Sequence, residues 1–317
     1  MQTIKTGVII AVICFLIGGP AWAGPYSDAL GGPGIDAGIP GFVGPDGDGY
    51  VTGNNYVNPI FKAWATGWVE YTPSDEIGPY AMDGIGYQFT YPMNTLGPVT
   101  GDNFHIVSLG DMGADELNAY DNGTLGYGPG ILTLTFDHAI VNGEGADFAA
   151  FENGFISEGG AGVAGQIFAE LGYVEVSTNG TDFARFASDS LTTGLVGAYG
   201  TVDPTDVYNL VGKHVNAYGD SWGTPFDLET LVDDPLVLAG LVDLNNINYV
   251  RIIDIPGNGY FTDADGNPIY DAWVTWGSGG LDFEALGVIH QSAVPVPGTL
   301  WLLFSGLIGL LGVRRRF

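Results

Sequence analysis

From about Ile60 to Gln291 the chain breaks into short runs of alternating or continuous apolar residues, separated by turn residues. Ile131–Phe136 sets Leu132, Leu134 and Phe136 on one face and Thr133 and Thr135 on the other. That is the two-residue period of a half-buried strand. Asp147–Phe151 predicts a second strand. Tyr173–Ser177 and Phe183–Phe186 flank Asn179-Gly180, a pair that accepts the positive φ values of a tight turn and predicts a hairpin. Asn248–Asp254 is a β-branched strand, and Leu281–Ile289 closes the region. Helical periodicity is confined to the two ends, apart from one or two short helical turns expected within Asp227–Leu241. Many short strands joined by long polar connections predict an all-β fold, an antiparallel β-sandwich over residues 60–291.

The flanks have a different texture. Gly24–Pro59 is rich in glycine and proline, as in Gly31-Gly32-Pro33-Gly34. Neither residue sustains ladders or helices, so this stretch is expected as an extended leader, draped on the domain. Ahead of it, Lys5, the apolar run Gly7–Ile17 and Ala21-Trp22-Ala23 match the charged, apolar and cleavage regions of a secretory signal peptide, residues 1–23. At the other end, Val294–Gly298 precedes the uncharged run Thr299–Val313 and the stop Arg314-Arg315-Arg316. Fifteen helical residues span about 22 Å, short of the roughly 30 Å of hydrocarbon, and the run with its basic stop is expected as a short C-terminal transmembrane sorting helix. Basic residues stay cytoplasmic, which leaves the body outside. Cys14, the one cysteine of the chain, falls within the signal, so the exported body has no thiol or disulfide chemistry.

Charge sharpens this division. Gly24–Gln291 holds all thirty-six acidic residues against Lys62, Arg185, Lys213 and Arg251, a net charge of −32. Such a surface repels phosphate backbones and excludes nucleic acid as a partner, while it suits cations. Aromatics at 13% and hydrophobics at 46% suffice for a packed core.

Pro295 and Pro297, the apolar run Trp301–Leu310 and Arg314, Arg315 and Arg316 together resemble the PEP-CTERM sorting signal (294–317), with Val296 where that motif has Glu. The resemblance implies an exosortase as partner and a Gram-negative envelope, with an inner-membrane intermediate followed by the cell surface or extracellular matrix. Tyr173–Phe186, Tyr249-Val250-Arg251-Ile252 and Leu281–Ile289 resemble three strands of discoidin-type, galactose-binding-like domains, which implies a jelly-roll form of the sandwich. Ala63–Gly67, Ser108-Leu109-Gly110, Phe151–Gly154 and Asp243–Ile247 resemble segments of secreted bacterial cell-surface proteins.

Chemistry-bearing patterns are few. Asp263, Asp265, Asn267 and Asp271 place oxygens at alternating positions around Gly266, as a calcium loop requires; a solvated acidic turn is the alternative. Asp46 and Asp48 are a weaker echo. Asp147, Glu152 and Asn153 form a second oxygen cluster beside Phe148 and Phe151, and a buried carboxylate there needs a partner such as Arg185 or Arg251, with a metal or a ligand contact as the alternatives. Trp273 and Trp276 follow the acidic loop and are the aromatic pair best placed to stack on a sugar, with core packing as the alternative. Gly219-Asp220-Ser221-Trp222-Gly223 lacks the glycine after serine that a serine-protease motif needs, and His105, His138, His214 and His290 form no zinc pair. The expected product is a non-catalytic, calcium-stabilised, glycan-binding surface protein. A secreted carbohydrate-active hydrolase is the alternative.

Overall fold

A computed structural model describes residues 36–44, 53–74, 77–78 and 85–293. The signal peptide, Asp46 and Asp48, and the whole sorting segment lie outside the described residues. Two large antiparallel sheets are built from β1 (Ile39–Pro40), β2 (Ala63–Trp64), β3 (Gly67–Thr72), β4 (Val107–Ser108), β5 (Ile131–Ile140), β6 (Phe148–Glu152), β7 (Gly172–Ser177), β8 (Ala184–Arg185), β9 (Trp222–Phe226), β10 (Ile247–Asp254) and β11 (Asp282–Val288). One sheet runs β1-β9-β6-β11-β2, with β4 also on β11; the other runs β8-β7-β10-β5-β3. The all-β expectation holds.

The alternation read from sequence is what closes the core. Leu132 and Leu134 of β5, Val174 and Val176 of β7 and Val250 and Ile252 of β10 are buried, as are Phe148, Phe226, Phe283 and Leu286 of the facing sheet, and all belong to one apolar cluster. Phe148 stacks on Phe226 at 5.3 Å and meets Phe186 edge-on at 5.9 Å. The expected hairpin forms: Glu175 pairs with Arg185 and Val176 with Ala184 across the β7–β8 turn. Gly180 takes φ +75°, and Ser177 Oγ accepts from the N–H groups of Asn179 and Gly180. Short helical turns fall at Leu228–Leu231 and Pro235–Leu238, within the expected segment. Among the described residues no helix is long and apolar enough to cross a membrane.

Two features depart from the sequence reading. An eight-residue helix, α1 (Ala114–Asp121), stands where none was expected; Asp115 and Glu116 occupy its first turn, and the Gly113 N–H donates to Glu116 Oε2 at 2.8 Å. The described part of the leader also contributes a strand and a buried ion pair, which the sequence reading did not expect. β1 pairs with β9 as an edge strand, where Pro40 is tolerated because one side of such a strand needs no ladder donors. Asp36 is buried and ion-paired with the fully buried Lys213, and a side chain at Gly41 would meet Ser221, Val99 and Phe151.

Candidate ligand cleft

β6 and β11 carry acidic residues into the interior. Glu152 ends β6 and Asp282 opens β11, and both are at most 5% exposed. Glu170, just before β7, is buried as well. Together with Thr275 and Ser278, Glu170 and Asp282 line a cleft of about 290 Å³. Burial raises the Glu170 carboxyl well above the usual range, and the charges of Asp282, Glu152 and Asp111 push in the same direction. Burial likewise raises Asp282, with Asp254 adding to it and the hydroxyls of Ser278 and Ser108 opposing. Glu152, behind the floor, is raised by burial and then by Asp282; its Oε2 accepts from the Gly154 N–H at 2.9 Å.

The floor holds fewer donors than its oxygens can accept from. Thr275 Oγ1 lies 2.5 Å from Glu170 Oε1 and 3.3 Å from Asp111 Oδ2, with one hydroxyl proton between them. Asp111 Oδ2 accepts from the Thr275 N–H at 2.8 Å, and the Gly280 N–H donates to Thr275 Oγ1 at 2.8 Å. Asp282 Oδ1 and Glu152 Oε1 are buried with no hydrogen-bond partner among the described residues.

The walls are aromatic and come from separate connections. Phe155 stacks on Phe168 at 4.9 Å and meets Tyr218 edge-on at 5.4 Å. Tyr199 meets Trp276 edge-on at 5.7 Å, and Phe89 stacks on Phe104 at 6.5 Å. Phe104, Tyr199, Tyr218 and Trp276 all expose their rings, Tyr218 the most at 77%. Tyr218 sits at φ +58°, a left-handed conformation unfavourable for a bulky residue. Its N–H donates to Asn103 Oδ1 at 3.0 Å, while Asn153 Nδ2 donates to the Asn103 carbonyl at 3.0 Å. Strain of this kind is found where a side chain must be held out for use.

Sequence-predicted site residues are distributed unevenly around this cleft. Trp276 lines it; Trp273 is half-buried, and its indole N–H donates to the Met112 carbonyl at 2.9 Å. Asp263 organises the turn between the short strands Asn258–Thr262 and Pro268–Tyr270. Its Oδ1 accepts from the N–H groups of Asp265 and Asn267, and its Oδ2 accepts from the Ser190 N–H and Asn267 Nδ2. Those donors hold its carboxyl below the usual range against the opposing effect of burial. Asp265 and Asn267 are exposed, whereas Asp271 is buried and accepts from the Leu171 N–H at 2.6 Å.

The cluster Asp147, Glu152 and Asn153 divides three ways. Asp147 accepts from Gly143 and Leu228 and contacts His290 Nδ1 at 2.8 Å; Glu152 backs the cleft; Asn153 lines it. Neither arginine expected beside Glu152 is there, because both pair with Glu175. Glu170, Asp282, Tyr199 and Tyr218 went unmarked in the sequence. The available signal was an acid placed in an apolar closing strand, in a chain with few cations to pair it. No family model matches the chain, and no curated protein matches it either.

Proposed function

We propose that this is an exported, surface or matrix protein whose jelly-roll sandwich binds glycan in the aromatic cleft. One observation carries the reading: exposed Tyr199, Tyr218, Phe104 and Trp276 surround a recess floored by Glu170 and Asp282. Aromatic faces stack on the apolar faces of sugar rings, and carboxyl oxygens accept sugar hydroxyl hydrogens. A volume of about 290 Å³ lies at the small end of ligand sites, which suits one or two sugar units better than a long chain segment.

Export through residues 1–23 and sorting through Pro295, Pro297 and Arg314–Arg316, with an exosortase as partner, belong to the same proposal. Calcium at the turn 263–267 is the proposed structural ion; its ligands would be Asp263, Asp265 and Asn267, whereas Asp271 is buried outside that turn and accepts from the Leu171 N–H. Glycan-array binding by the full-length protein tests the reading. Retention on at least one glycan that is lost in Trp276→Ala supports it, and retention on none sinks it.

A second reading rests on the two raised carboxyls in the cleft. A pair of acids with perturbed affinities for protons is also what glycoside hydrolysis employs. Release of new reducing ends from a retained glycan, abolished in Glu170→Gln, would move the protein to that class.

A further inference from the structure

The cleft floor lacks a positive charge, and the described residues have none left to give. Four basic residues lie within the described region: Lys62, Arg185, Lys213 and Arg251. Lys213 is buried on Asp36, both arginines engage Glu175, and the exposed Lys62 donates to the Pro59 carbonyl. The buried acids of the floor have only neutral donors. Asp282 lines the cleft and its buried Oδ1 has no hydrogen-bond partner among the described residues, while Thr275 divides one hydroxyl proton between Glu170 and Asp111. An occupant that brought a cation and several N–H donors would complete this arrangement. The walls ask for something else, a ring with an apolar face.

We propose that the cleft takes an amino sugar, a pyranose with a free ammonium group, whose ammonium sits on Glu170 and Asp282 and whose ring stacks on Trp276 and Tyr218. The inference rests on the glycan reading and narrows it. An ammonium offers three donors and no acceptor, matching oxygens that lack donors. Charge-assisted hydrogen bonds in a dry recess are the strong kind. A nearby indole adds a cation–π attraction. An N-acetylated sugar brings an amide without charge, and a uronic acid is repelled. Among the described residues no three His, Cys, Asp or Glu side chains converge as a metal site would need.

The test is calorimetric titration of the full-length protein with the glucosamine disaccharide, its N-acetylated counterpart, cellobiose and spermidine. Salt at about 0.15 M cuts the Debye length to roughly 8 Å and suppresses attraction to the distant surface charge. The glucosamine disaccharide should bind at least tenfold tighter than each of the other three. Trp276→Ala keeps every charge and should weaken binding tenfold or more; so should Glu170→Gln, while Asp233→Asn, on the exposed surface, should leave it unchanged. Trp276 is 43% exposed, so its truncation leaves the core intact. Equal or tighter binding of the N-acetylated sugar or cellobiose overturns the amino-sugar inference and leaves the glycan reading standing. Spermidine binding as tightly as the disaccharide, with Trp276→Ala unaffected, overturns it as a mere charge effect. Binding of no sugar overturns both.

Discussion

Glu170 and Glu175 stand five residues apart on one stretch of chain, both buried, and they are stabilised by opposite means. Glu175 lies opposite Arg185 on one neighbouring strand and Arg251 on the other. Each arginine gives one carboxylate oxygen two contacts, at 2.7–2.8 Å from Arg185 and 2.5–2.6 Å from Arg251. The guanidinium groups lie over Tyr173 and Phe183, at 4.2 and 3.7 Å from the ring centres. Glu170 has a threonine hydroxyl and like-charged neighbours, and it keeps its proton to higher pH. With so few cations, the fold spends arginines where sheet register delivers them and leaves the cleft acids to protons or to a guest.

The largest test of the compensated side is Asp36→Ala. It strands Lys213, which is fully buried and whose ammonium burial already disfavours. Removing one partner of a buried pair costs about 3–5 kcal/mol. At roughly 2–4 °C per kcal/mol for a domain of this size, the melting temperature should drop by about 6 °C or more. A drop below about 2 °C would mean that the leader is only draped on the sandwich.

The next effect, on the uncompensated side, is with pH. Burial raises Glu152, Glu170, Asp271 and Asp282, so the folded protein holds protons that the unfolded chain has released above about pH 4. Stability therefore falls as pH rises from the unfolded carboxyl range through the raised folded values. His214 opposes this. Burial lowers it to about 3, so it costs stability as pH falls below the ordinary histidine value of about 6.5. Asp263, held low, adds a loss only in strong acid. Four raised carboxyls outweigh one histidine. Melting at pH 5 should therefore exceed that at pH 8 by several degrees. A maximum above neutrality would contradict the picture.

A pair of isosteric changes puts the two glutamates side by side. Glu175→Gln at pH 7.5 should cost about 2 kcal/mol, discounted for the half-exposed Arg185. Glu170→Gln should be neutral or stabilising at the same pH and should flatten the pH profile, because it fixes the state the buried carboxyl prefers. Equal losses in the two variants would erase the distinction.

How much of this was legible follows from the range of each signal. β5, β7, β10 and β11 were readable because alternation and β-branching are written within each strand. The β7–β8 hairpin was readable from Asn179-Gly180 alone. Helix α1 escaped because it buries a single residue, Leu117, and so shows no apolar stripe. β1 escaped because an edge strand needs little apolar content and tolerates Pro40. Arg185 and Arg251, candidate partners of Glu152 by sequence, are set opposite Glu175 by sheet register, a cross-strand relation that linear spacing does not reveal. The cleft was legible in Trp276 and in part of the cluster Glu152 and Asn153, but not as a whole, since Phe104, Tyr199 and Tyr218 arrive on three unrelated connections.

The smallest expected effect concerns a third kind of acid, the exposed Asp265. Here no arginine is at hand, and water suffices. Asp263 has spent its oxygens on four N–H donors, so the turn is ordered on its own. Calcium would add only what a weak extracellular site provides. With Kd of about 10⁻⁴–10⁻³ M and 1 mM free ion, RT ln(1 + [L]/Kd) gives roughly 0.4–1.4 kcal/mol. Melting should then rise by about 1–5 °C in 1 mM Ca²⁺ and less in 1 mM Mg²⁺, which gives up its water reluctantly. Asp265→Ala should abolish the difference between the ions, while Asp265→Asn, which keeps one oxygen in place, should retain part of it. Both variants leave Asp263 and its hydrogen bonds intact, so the change reports on the ion rather than on the turn. An equal rise with both ions, unchanged in Asp265→Ala, would reduce calcium to screening of the −32 body charge and leave 263–267 a hydrogen-bonded turn.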